Sequence, residues 1–185
     1  MLKGFILGAA AVIAAGLLGA YLFIATGGMP ANADATPSAL ETWAARTSLH
    51  ATIAREAPKG SPPVIATDAN LAAGVKVYAA NCAVCHGAAD GEASNIAKGL
   101  YQRAPQLAQD PVDDDEEGEI YWKVYHGIRL TGMPSFRATL TETQMWQVTL
   151  FLKHMPDLPP AAKEAWAAVS GQTAVTLDQE AKYGK

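Results

Sequence analysis

Two cysteines occur in the chain, three positions apart, and a histidine follows the second directly: Cys82, Ala83, Val84, Cys85, His86. On one helical turn, thiols at i and i+3 share a face and can add to the two vinyl groups of a single porphyrin. The next residue then places its imidazole over the iron. This is the spacing of c-type haem attachment. Other chemistries also use closely spaced cysteines, but each needs partners. A four-ligand zinc site would want further thiols or a His pair, and there is no third cysteine. A thioredoxin-type pair follows a strand, whereas a helical pattern precedes this motif. The residues therefore imply one covalent haem c per chain, with thioether links from Cys82 and Cys85 and His86 as an axial ligand.

An iron kept six-coordinate needs a second axial donor, and methionine is a frequent partner of histidine there. Met133 stands in a loop between Gly132, which lets backbone approach a ring closely, and Pro134, which holds the preceding residue extended. It is the favoured ligand, and His126 is the alternative. Met145 and Met155 lie on or at the end of a helical pattern, where packing is the ordinary fate of methionine. His50 and His154 read as surface residues. A histidine ligand also needs its other nitrogen held by an acceptor. The carbonyl of Pro105, within Arg103, Ala104, Pro105, Gln106, Leu107, is one candidate, and spacing alone leaves an ordinary loop proline equally open.

Several helices must position these residues. A first one starts at Thr67 or Asp68, buries Leu71, Val75 and Tyr78, keeps Gly74 on the same side, and runs into Cys82. A short helix spans about 95–102. The acidic run from Asp113 to Glu119 reads as a solvated turn and helix start ahead of a helix with Ile120, Val124 and Ile128 on one face. A last helix runs from about Thr141 to His154, ended by Pro156, Pro159 and Pro160. The expected haem domain covers 67–160, and 161–185 reads as a tail.

Upstream, Phe5 to Ile24 holds no charged residue and follows Lys3, enough for a helix across a bilayer. The positive charge before it and none directly after favour a cytoplasmic amino terminus with the remainder exported. Small-x-small patterns at Ala31, Ala33 and Ala35 would suit a cleaved signal peptide, but the apolar run exceeds a signal core of roughly 7 to 15 residues. Residues 1–26 are thus an expected anchor. A linker, 27–66, has a helical middle from about Pro37 to Ala57. Its weak apolar face, Leu40, Trp43, Ala44, Thr47, Ala51 and Ala54, is expected to lie on the haem domain. The formal net charge of −4 and the lack of a basic cluster argue against nucleic acid and for partners with positive surfaces.

From Asp68 to Pro156 the sequence resembles the class I cytochromes c. The likeness rests on Cys82 to His86, on Ala104 to Leu107, on the segment GIRLTGMPSF from Gly127 to Phe136, and on the last helix. It implies an all-α wrap of haem in which the first and last helices cross at Gly74 and Tyr78 against Phe151. It also implies Pro105 as the acceptor for the proximal imidazole and Met133 as the sixth ligand. With anchor and linker, the chain looks like a membrane-tethered bacterial form. The expected role is single-electron transfer without catalysis, on the periplasmic side of the inner membrane. Donors would be a membrane dehydrogenase or quinol-oxidising complex, and the acceptor a terminal oxidase or reductase. A permanently docked subunit of such a complex is the alternative. A peroxidase or gas-binding role is disfavoured, because a filled sixth position leaves no place for substrate.

Overall fold

The computed structural model describes residues 2–169, and all regular elements among them are helical. The chain forms two compact units, one up to Ala35 and one from Thr36 on. The first is essentially one helix, α1 (Leu2–Ala25), whose 24 residues span about 36 Å at the usual helical rise. That exceeds the roughly 30 Å of a bilayer's hydrocarbon core. Every side chain of α1 is exposed, including Phe5, Leu7, Ile13 and Phe23, while its backbone bonds are closed internally. An apolar helix with that surface suits lipid.

The second unit opens with α2 (Ala39–Glu56), capped by Ser38, whose Oγ accepts from Glu41 N at 3.2 Å. It packs on the rest of the unit, but not by the expected face. Leu49, Ile53 and Ala57 meet Trp122 of α6 (Glu117–His126), whereas Leu40 and Trp43 stay 72% and 64% exposed. The reason is partly length, since α6 has 10 residues against 18 in α2 and covers only the later half. The linker then presses on the start of α6. A Cβ at Gly118 would lie 2.0 Å from the Pro58 carbonyl oxygen, so only a residue without a side chain permits this approach.

The core is built on α3 (Asp68–Asn81) and α7 (Glu142–Lys153), which cross where Gly74 meets the Gln147 carbonyl and Phe151. Tyr78 and Phe151, both fully buried, meet edge to face with centroids 5.4 Å apart. Burying each such side chain stabilises the fold by about 1.5–3 kcal/mol. Thr141 begins α7 with a capping box: its Oγ1 accepts from Gln144 N, and Gln144 Oε1 accepts from Thr141 N. Two short helices, α4 (Ala83–His86) and α5 (Asn95–Gly99), follow α3.

The segment after Pro160 departs from the expected tail. Residues Pro160–Ala167 form α8, with Ala162 fully buried beside Leu71 and Leu150. Trp166 meets the Tyr78 ring edge to face and the Phe151 ring at a tilt, with centroids 5.3 Å apart in each case. Val169 accepts a bond from Ala89 N at 3.1 Å. This helix is alanine-rich with one large apolar side chain, so its periodicity is faint, yet the aromatic pair beneath gives Trp166 a seat. Residues 170–185 of the expected tail lie outside the described residues.

Candidate functional site

Cys82 ends α3 and caps α4, so the motif is one continuous helical path: Cys85 N and His86 N both donate to the Cys82 carbonyl. The two cysteines form no disulfide with each other. Burial pushes the Cys82 thiol up to about 12, with a further push from Cys85, and burial raises Cys85 as well. Gly87 closes the turn at φ +80°, and a side chain there would run into Gln106 Oε1 at 2.7 Å.

His86 is fixed by its surroundings. Its Nδ1 lies 3.0 Å from the Pro105 carbonyl oxygen. A carbonyl can only accept, so Nδ1 carries the proton and the Nε2 lone pair of the neutral ring is left for a metal. Burial holds the imidazole below its usual pKa, opposed by the Pro105 bond, and this favours the neutral, ligating form. The backbone is held too. The His86 carbonyl accepts from Leu107 N at 3.0 Å and from Tyr78 Oη at 3.1 Å, and Tyr78 Oη donates also to Gly87 O at 2.8 Å. Gln106 Nε2 donates to the Cys85 and Ala104 carbonyls, both at 3.0 Å. Tyr78 and Gln106 thus support the motif, a role their positions did not announce. Gln106 stood in the Ala104 to Leu107 segment, whose only assigned role was that of Pro105.

Met133 is half-buried in the loop between α6 and α7. That loop is pinned at several points. Ile128 N donates to the Met133 carbonyl at 3.1 Å, and Met133 N donates to Thr131 Oγ1 at 3.1 Å. Ser135 Oγ and Phe136 N reach back to the Tyr125 and Val124 carbonyls. Gly127, at φ +67°, allows Pro134 to approach so closely that a Cβ would meet its carbonyl carbon at 2.5 Å. Contacts connect this loop to the cysteine motif. Ser94 Oγ bonds the Val84 carbonyl, Ser94 caps α5, and Leu100 just after α5 touches Gly132.

The other candidates stand elsewhere. Met145 is 2% exposed in the core, and Met155 packs partly buried against it. His126 ends α6 with its ring 4.9 Å from Trp122 and 4.7 Å from Tyr125. His50 is exposed on α2, and His154 caps α7 half-buried. The donor set fits a covalently held haem: two unpaired thiols one turn apart, an imidazole with Nδ1 anchored and Nε2 free, and a soft thioether outside the core.

Residues 69–152 match the family described as cytochrome C oxidase, cbb3-type, subunit III. No curated protein and no solved structure matches the chain. The matched stretch contains the cysteine motif, Pro105 and Met133, and it carries a covalently bound c-type haem.

Proposed function

We propose that this chain, a monohaem cytochrome c, passes single electrons through a haem held by Cys82 and Cys85 and ligated by His86 and Met133, as a carrier in a bacterial respiratory chain. The observation that carries the reading is the 3.0 Å contact between His86 Nδ1 and the Pro105 carbonyl. It keeps the proton on Nδ1, orients the ring, and raises the donor strength of Nε2. The bound haem supplies a one-electron iron couple. The protein supplies the rest: Tyr78 and Gln106 hold the carbonyls of the attachment turn, and the pinned loop presents the Met133 thioether. If His86 and Met133 both hold the iron, no position would be left for a substrate, which favours a carrier over an enzyme.

The α1 helix would anchor the protein in the inner membrane with the haem domain on the periplasmic side, Lys3 being the flanking charge. A donor of the quinol-oxidising or dehydrogenase class and a terminal oxidase or reductase as acceptor fit that position. The family match favours a second arrangement, a cytochrome subunit docked in an oxidase complex. A pull-down from detergent-solubilised membranes separates the two.

The ligation has a direct test. The oxidised protein should show the weak near-infrared sulfur-to-iron band. Met133→Ala should abolish it, while the volume-conserving Met145→Leu and Met155→Leu keep it. A wild-type spectrum without the band, changed by His126→Ala and not by Met133→Ala, refutes the assignment.

A further inference from the structure

A cleft of about 310 Å³ opens where the end of α2, the later half of α6 and the start of α7 meet. Its walls include Tyr121, Trp122, Tyr125 and His126 from α6, and its rims carry Glu56 and Glu142. Among the described residues, no lysine or arginine lines it. We propose that this cleft is a docking site for an arginine side chain of a basic partner protein, seated among the α6 aromatic rings between the two carboxylates.

Three observations support that occupant. Aromatic rings flanked by carboxylates attract a cation twice, through the ring quadrupole and through charge, and guanidinium stacks on rings better than ammonium does. The chain itself shows this preference, for Arg137 lies 5.5 Å over the Tyr125 ring. Second, Glu56 on the rim keeps its charge: its carboxyl is held below the usual carboxylate range, chiefly by Arg55 with a smaller contribution from Trp122. Third, the acidic surface continues past Pro58 into a second hollow lined by Glu116, Glu117 and Glu119 against one cation, Lys59. A cleft open to solvent and set in such a field suits a side chain presented by a partner. Arg55 already contacts Glu56 at 2.6 Å, but that pair is exposed, with Arg55 at 69%, and is readily displaced. The inference needs this packing of α2, α6 and α7 and is independent of the axial ligation.

The test uses the full-length reduced holoprotein in detergent at low salt, following the Trp122 indole N–H resonance. The probe is a blocked Gly-Arg-Gly-Arg-Gly peptide, and the control is its citrulline counterpart. The arginine peptide should shift the resonance saturably, the shift should weaken with added salt, and the uncharged control should be silent. The double variant Glu56→Gln, Glu142→Gln should weaken binding by about 10-fold, and Arg55→Gln should strengthen it by freeing Glu56. No saturable shift, an equal response to citrulline, or an affinity untouched by the double variant overturns the proposal. So does a response to phosphatidylcholine vesicles with none to the peptide.

Discussion

Replacing Gly74 by alanine tests the crossing on which the domain is built. An added Cβ would lie 2.2 Å from the Gln147 carbonyl oxygen and 2.7 Å from Phe151 Cβ. Both obstacles sit at the backbone, so neither can swing away. The shortfall from ordinary contact is roughly 1.2 Å, and α3 and α7 must part by about that much. Overpacking of this kind costs about 1–3 kcal/mol. Loosening the Tyr78–Phe151 edge contact removes part of a further 0.5–1.5 kcal/mol or so. Against this, alanine is about 1 kcal/mol better than glycine in a helix interior. The net expectation is a loss of about 2 kcal/mol. Guanidinium unfolding of the holoprotein, followed by far-ultraviolet dichroism, reads it as a lower midpoint. Gly99→Ala, with no neighbour within 4 Å of the new carbon, is the control and should be neutral or slightly stabilising. If Gly74→Ala were as stable as wild type or more so, propensity would have won, and the close crossing would be refuted.

Two further outcomes follow from buried polar groups. Tyr78→Phe should cost about 1 kcal/mol at neutral pH, from the lost bonds to the His86 and Gly87 carbonyls. Burial also raises the Tyr78 pKa well above the ordinary 10. The unfolded phenol therefore releases its proton near pH 10 while the folded one keeps it, so this contribution is whole below pH 10 and falls above it. The loss is at most about 1.4 kcal/mol per pH unit, and urea titrations between pH 9 and 11 should find it reduced in the phenylalanine variant. Thr149 is fully buried on α7, and its hydroxyl has no partner among the described residues. Thr149→Val should therefore stabilise the fold by roughly 1 kcal/mol, read as a higher urea midpoint, and a lower midpoint would show that the hydroxyl is satisfied.

Local chemistry decided much of this protein. Five consecutive residues from Cys82 to His86 specify haem attachment, because the thiol spacing and the adjoining imidazole are properties of a single turn. Helix starts were legible to within a residue or two, at Thr67 or Asp68 and at Thr141 or Thr143, since a cap involves residues only three apart, and the fold uses Thr67 and Thr141. The Gly132, Met133, Pro134 loop announced itself by backbone preferences that act between neighbours. What needed the folded chain were choices between nearly equal local options. Pro105 could be read from spacing as an acceptor or as a loop residue; its carbonyl reaches a ring nineteen positions away only after the loop closes. The one weak apolar face read for the α2 helix was not the face buried: the short α6 beneath it selected Leu49, Ile53 and Ala57 while leaving Trp43 outside. The α8 helix, half alanine, carries little pattern of its own, and it joins the core because Tyr78 and Phe151 present rings for Trp166 to meet. Burial of a faint face depends on what lies across from it, and that partner is distant in sequence.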